Sequence, residues 1–365
     1  MINFFDPSYE FLKFKKEYIK IFSKVINSKK YILDKETLNF EKNFAKFIGV
    51  KYAVGVNSAT DGLTLALKVL NIDKGDEIIT TPHTALATIA AIIDTGATPV
   101  LVDIETDTYC IDPDKIEKNI NYKTKAIMPV HIYGHPANMS KIKNISKKYK
   151  IPIIEDCSQS FGSMINSQYV GSFGLLSVFS FYPTKNLGAI GDGGIIVTNS
   201  KKYSNLLRQI RQYGWNNKRV TKSKGANSRL DEIQAAILNY KLKHFKSMLS
   251  KKVKLVEVYN ENIKNYEIIK PKIQENYTHS YHLYVIRSKN RKKLINYLNS
   301  NQIQSSIHYK NDIVNDKIYK KFCRFNKNDL RNFLKLNKQF LSLPLNLNLK
   351  IKEIKFISSV INRFV

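Results

Sequence analysis

Apolar runs of five or six residues alternate with helical periodicity through the first two-thirds of the chain. Strand-like runs fall at 77–81, 98–103, 125–130, 152–156, 177–181 and 194–198, with helical patterns at 61–70, 140–149 and 203–213. This rhythm predicts an α/β fold, a mostly parallel sheet with both faces covered by helices. A long amphipathic helix from Asp231 to about Tyr259 then leads into a smaller α/β unit containing 281–286, 289–300 and 303–308. The expected organisation is a large domain over 1–240, including the N-terminal segment, and a small one over 241–365, with no repeats and no flexible linker.

Candidate chemistry begins where the strand at 177–181 runs into Tyr182-Pro183-Thr184-Lys185-Asn186-Leu187-Gly188 and on to Gly194. This sets one lysine among small, turn-forming residues. A surface lysine is protonated and solvated, whereas one lowered toward neutrality by burial or a cationic neighbour can form a Schiff base with a carbonyl. Because the chain holds 59 Lys and Arg residues, Lys185 needs company to stand out. Upstream, Pro152-Ile153-Ile154-Glu155-Asp156 reads as a buried strand whose end delivers Asp156 into a crevice. Asp156 there either caps the following turn or faces a cation, and the protonated pyridine nitrogen of pyridoxal phosphate is such a cation. In Ala53 to Leu67 a short β-type run meets Asn57-Ser58-Ala59-Thr60-Asp61 and then a helical pattern. That helix start either offers free N–H groups to a phosphate or is an ordinary end capped by Ser58, Thr60 or Asp61. The glycines of 188–194 are not a dinucleotide fingerprint, because they open no helix after a βα turn.

With these three elements in order, the chain resembles the nucleotide-sugar aminotransferases, the DegT/StrS group of fold-type I pyridoxal-phosphate enzymes. The landmarks are Gly55 to Leu67, Gly75-Asp76-Glu77-Ile78-Ile79, Pro129-Val130-His131-Ile132-Tyr133-Gly134, Glu155 to Gln159, the Lys185 segment, and Asn227-Ser228-Arg229-Leu230-Asp231-Glu232. The similarity runs from about residue 30 to 240 and returns in fragments to the C-terminus. It implies that Lys185 carries the cofactor and shuttles a proton, that Asp156 holds the pyridine nitrogen, and that Gln159 bonds the ring hydroxyl. Ser58, Ala59, Thr60 and Ser180 are implied at the phosphate. Asn227 is implied to reach the phosphate of a neighbouring subunit's cofactor, which makes a homodimer with shared sites the smallest active unit. Tyr31, His83, Tyr182, Arg229, His308 and Tyr309 are implied on the substrate side. Three positions depart from the pattern: Ala85 stands where many members place an aromatic ring over the cofactor, Asp34 replaces a small turn residue, and His135 replaces a common glutamine. His83 or another group is then expected to cover the ring face.

The expected activity is transfer of an amino group from an amino acid, L-glutamate, to the keto group of a nucleotide-linked deoxysugar in surface polysaccharide or glycan biosynthesis. The residues around Lys185 resemble members acting at the 3-keto position. The alternative acceptor is a smaller phosphorylated ketone, motivated by Asp34, Ala85 and His135. Relatives that dehydrate sugars carry histidine in place of the lysine, so Lys185 counts against that chemistry.

A net charge of +29 raises a nucleic-acid binder as a reading of another class. The lysines are instead spread over 13–30, 141–150, 241–254 and 289–293, mostly at amphipathic-helix positions, and read as a compositional bias. Attraction of a phosphorylated substrate is the expected benefit. No apolar run approaches the roughly 20 residues of a membrane span, and the N-terminus shows no secretory pattern. Three cysteines without a CxxC pair suit a reducing cytoplasm, and the histidines lack partners at zinc spacing, so no metal is expected.

Overall fold

The computed structural model describes all 365 residues. Seven strands build the main sheet: β1 (Tyr52–Val56), β2 (Glu77–Thr80), β3 (Thr98–Leu101), β4 (Thr124–Ile127), β5 (Ile154–Asp156), β6 (Leu176–Ser180) and β7 (Gly194–Thr198). Their spatial order is β3-β2-β4-β5-β6-β7-β1, with β4 and β5 joined by the parallel bridges Ile127 to Ile153 and Val130 to Asp156. All pairings are parallel except those of β7, which runs against both β6 and β1. The expected mostly parallel sheet therefore has one reversed strand.

Successive residues of a strand point to opposite faces, and here both faces are buried. Val54, Val178 and Ile196 enter a core under α3 (Ala59–Lys68), α4 (Leu86–Ile93) and α6 (Lys201–Ile210). Their neighbours Ala53, Phe179 and Ile195 enter the opposite core with Phe40 and Phe44 of α2 (Lys35–Ile48) and Phe245 of α7 (Glu232–Asn262). This is why these strands read as unbroken apolar runs. Helix α5 (Met139–Tyr149) precedes β5 and buries Met139, Ile142 and Ile145.

At 31 residues α7 is about 46 Å long, and it passes residues 240 and 241 without a break. The expected domain boundary thus falls inside one rigid element. Beyond it, β8 (Tyr284–Arg287) pairs antiparallel with β9 (Phe340–Leu343), packed by α8 (Arg291–Ser300), α9 (Arg331–Leu336) and α10 (Ile351–Asn362). The stretch 303–308 forms no strand. That stretch makes only isolated bridges, Ile303 to Ile2 and Ser306 to Ser342, because it is shared between the N-terminus and β9.

Helix α1 (Ser8–Ser28) packs on α7 through Phe14 and Tyr18, with the Phe14 ring 5.1 Å from His244. Leu12, Ile19, Phe22 and Ile26 are exposed. At 100° per residue they form a second apolar stripe, roughly 100° around the helix from the buried one. No helix of the protein is long and apolar enough to cross a membrane.

Candidate active site

Three strand ends meet at the carboxyl edge of the sheet, the edge where open α/β sheets bind ligands. Asp156 ends β5. One of its oxygens, Oδ1, accepts the Ser158 N–H at 3.0 Å, the turn-capping role open from sequence. The other, Oδ2, accepts the Thr88 hydroxyl at 2.7 Å, and Thr88 in turn pairs with Thr84 at 2.7 Å. All three residues are buried. Thr88 was not legible as a partner; it lies in the first turn of α4, four residues after Thr84, which precedes the helix.

Lys185 lies five residues beyond β6 in a closed loop: Phe181 N–H bonds Gly193, Ala189 N–H bonds Phe181, and Lys185 N–H bonds Tyr182. No carboxylate lies within 4.0 Å of its Nζ among the protein's ion pairs. Burial pushes the Lys185 amine down to about 8, against the opposing pull of the Asp156 charge. An amine in that range holds a far larger neutral fraction near physiological pH than a solvated lysine, and that fraction can attack a carbonyl.

The anion loop is built around Ser58, which is the N-cap of α3 and accepts the Asp61 N–H at 3.1 Å. The first helical bond is Gly62 N–H to Ser58 carbonyl, so the N–H groups of Ala59 and Thr60 precede the ladder. Gly194, opposite Ser180 in the β6–β7 pair, lies against this loop; a Cβ there would sit 2.5 Å from the Ser58 carbonyl carbon and 2.7 Å from Ala59 N. Only glycine permits that approach, which brings Ser180 and the helix start to one place. Buried Ser228 accepts the Asn57 N–H at 3.1 Å and donates to Asp61 Oδ2 at 2.7 Å. Its neighbour Asn227 is exposed and bridges Gln212 through the backbone. Because α7 begins at Glu232 with Asp231 as N-cap, Asn227 does not cap that helix.

Gln159 links the two halves of the site: its Oε1 accepts Tyr133 N–H at 2.9 Å and its Nε2 donates to the Tyr309 hydroxyl at 2.6 Å. The Tyr133 hydroxyl donates to the His308 carbonyl, and His308 Nδ1 meets Ser342 Oγ at 2.9 Å. Burial and the Lys185 charge push His308 down to about 4. His308 thus lines a cleft with Lys185, and Tyr309 is bonded to Gln159. Tyr182 is exposed beside Lys185, and Arg229 is partly buried between Ser228 and Leu230. Tyr31 is half exposed, its hydroxyl on the Ile26 carbonyl at 3.2 Å.

His83 does not stand free to cover a ring. Its imidazole packs on Phe340 at 4.6 Å and edge-on to Tyr133 at 5.3 Å, and burial pushes it down to about 3. The other departures have structural roles: Asp34 caps α2 through Lys35 N–H at 2.7 Å, and His135 is buried with Nδ1 on the Pro136 carbonyl at 2.7 Å. His131, Glu155 and Cys157 come within 4.8 Å of one another. Their capacity is used internally, since Glu155 accepts from His131, Gly171, Phe173, Gly174 and Ser177, His131 Nδ1 accepts from Ala137, and burial raises the Cys157 thiol. This network fixes the loop that carries Tyr133.

A lysine with a lowered amine, a buried carboxylate at a distance from it, and a glycine-cleared helix start form the donor set of a fold-type I pyridoxal-phosphate enzyme. The chain belongs to the DegT/DnrJ/EryC1/StrS aminotransferase family, whose model matches residues 13–362. It is 39% identical to the dTDP-3-amino-3,6-dideoxy-alpha-D-galactopyranose transaminase of Aneurinibacillus thermoaerophilus, covering 100% of this chain and 99% of the relative. It is 38% identical to the dTDP-3-amino-3,4,6-trideoxy-alpha-D-glucose transaminase of Streptomyces venezuelae, over 79% of this chain and 76% of that protein. The crystal structure of S. venezuelae DesV in complex with a ketimine intermediate superposes with a TM-score of 0.96 at 33% identity, covering 99% and 97% of the two chains. The protein is a pyridoxal-phosphate-dependent aminotransferase.

Proposed function

We propose that this enzyme moves an amino group from L-glutamate to the 3-keto carbon of a nucleotide-linked deoxysugar, in the cytoplasm and for a surface glycan. The observation that carries the reading is the meeting of Lys185, with its lowered amine, and the doubly hydrogen-bonded Asp156 at one sheet edge. The two relatives named for 3-amino dTDP-sugars support the acceptor class and ring position.

When bound, pyridoxal phosphate supplies the electron sink for the transamination. The ends of α3 and β6, through Ala59, Thr60, Ser58 and Ser180, hold its phosphate. Asp156 anchors the ring nitrogen and keeps it protonated, and Gln159 holds the ring hydroxyl. Lys185 Nζ takes the proton from the α-carbon of the donor and returns one, a role that needs an amine able to exist in both states near neutral pH. His308, Tyr309 and Tyr182 border the acceptor, with Tyr31 and Arg229 nearer the subunit boundary.

The enzyme works as a homodimer in which Asn227 completes the partner's phosphate site. The exposed apolar stripe of α1, Leu12, Ile19, Phe22 and Ile26, supports a partner surface, and the exposure of Asn227 leaves it open to a partner. The test is direct: purified holoenzyme, L-glutamate and a dTDP-3-keto-6-deoxyhexose should give a product with the mass of the amino sugar. Borohydride should fix the cofactor on the peptide holding Lys185. Label on another lysine, or amination only of small phosphorylated ketones, would sink the assignment.

A further inference from the structure

A cleft of about 140 Å³ lies between the N-terminal segment, α7 and the loop of Lys185. It is smaller than the roughly 300 Å³ at which pockets for drug-sized ligands begin, so it suits a small acid rather than a nucleotide. Its charges are uneven. Glu10 is paired with Lys241, and Asp6 accepts Ser8 N–H at 2.9 Å and the Asn348 amide at 2.7 Å, so both acids on the wall are engaged. Two of the three lining lysines, Lys185 and Lys252, are not. Lys252 Nζ has only neutral acceptors, Asn186 Oδ1 at 2.9 Å and the His282 carbonyl at 3.2 Å, and Lys185 has no carboxylate within ion-pair range. His282 is 8% exposed, lines the same cleft, and its Nδ1 has no partner.

We propose that this cleft is a carboxylate subsite for the amino donor, with Lys252 as its cation and His282 Nδ1–H as a second donor. The inference deepens the transaminase reading and rests on it. Lys252 bonds the side chain of Asn186, the residue directly after Lys185, and both lysines line the cleft, so a carboxylate on Lys252 shares it with the amine that handles the proton. Phe245, Met248 and Leu283 supply apolar wall for the methylenes of a dicarboxylic amino acid. Burial lowers the Lys252 amine to about 7, with Glu10 opposing, and an incoming anion supplies the counter-charge the cleft lacks.

The test uses wild-type, Lys252→Gln and Lys252→Arg holoenzymes in single turnovers with L-glutamate or L-glutamine, followed by cofactor absorbance. Lys252→Gln should raise half-saturating glutamate at least about tenfold, the loss of one charge-assisted hydrogen bond, and Lys252→Arg should recover most of it. A shift for glutamate alone places the side-chain carboxylate in the cleft, and an equal shift for glutamine places the α-carboxylate there; both support the subsite. Unchanged half-saturation in a folded, cofactor-loaded Lys252→Gln enzyme would overturn it. Should that variant not fold, glutarate competition decides on the wild type: competition by glutarate but not by its diamide supports the subsite, and no competition overturns it. A wild type that responds to no amino donor overturns the transaminase reading and the subsite with it.

Discussion

Asp156→Asn separates electronics from folding, because the surrounding hydrogen bonds can absorb the change. In the wild type Ser158 N–H donates to Oδ1 and Thr88 donates to Oδ2. An asparagine keeps its carbonyl oxygen on Ser158 and presents its amide N–H to Thr88 Oγ1. Thr88 can accept because its hydroxyl pairs with Thr84 at 2.7 Å, and either of the two can be the donor. The pair reverses, and no buried polar atom is left unsatisfied. The stability change should then stay below about 1 kcal/mol, a melting shift of no more than about 4 °C. Catalysis has no such escape, since the amide carries no charge for the protonated ring nitrogen. Loss of one such preorganised electrostatic contact slows turnover by about 100- to 1,000-fold. Stopped-flow single turnovers with L-glutamate, alongside cofactor occupancy and a thermal melt, measure both quantities. Near wild-type rates would refute the role of Asp156, and a collapsed melt would refute the hydroxyl-reversal argument.

The Lys185 amine, lowered to about 8, predicts that the rate at which apoenzyme takes up pyridoxal phosphate covalently falls about tenfold per pH unit below that value and levels off above it. A rate still climbing tenfold per unit at pH 10 would show an ordinary lysine; the burial that favours the neutral amine also makes Lys185 favour folding more as pH rises from 8 toward 10.5. Mixing Asn227→Ala with Lys185→Ala chains should restore activity if Asn227 acts across the dimer, because one site of the heterodimer then carries neither defect. No recovery in heterodimers verified by mass, with Asn227→Ala itself impaired, rejects the shared site. Gly194→Ala should destabilise the protein by about 1–3 kcal/mol and loosen cofactor binding in equilibrium dialysis, since the new methyl meets the Ser58 backbone at 2.5 Å; unchanged affinity would count against the phosphate loop.

The alternation of apolar runs with helical periodicity determined the α/β class, because strands buried on both faces need apolar residues at every position. The motif around Lys185, the carboxylate at the end of β5 and the small residues before α3 were equally readable, since each chemistry is local to one strand end or one helix start. Tertiary structure decided what no local pattern carries. The hydroxyl relay from Thr84 through Thr88 to Asp156 spans 68 residues between its last two members, and the Lys252 contact with Asn186 spans 66. The sense of β7 depends on the turn at 181–193, and the start of α7 at Glu232, four residues after Ser228, leaves Asn227 outside that helix. His83 looked like a ring available to the cofactor, yet Phe340, 257 positions away in sequence, holds it in the core. Whether a cation is paired, and so whether it can take a ligand, depends on which distant acids fold beside it. Lys241 finds Glu10 and Lys252 does not, although both lie on the same helix.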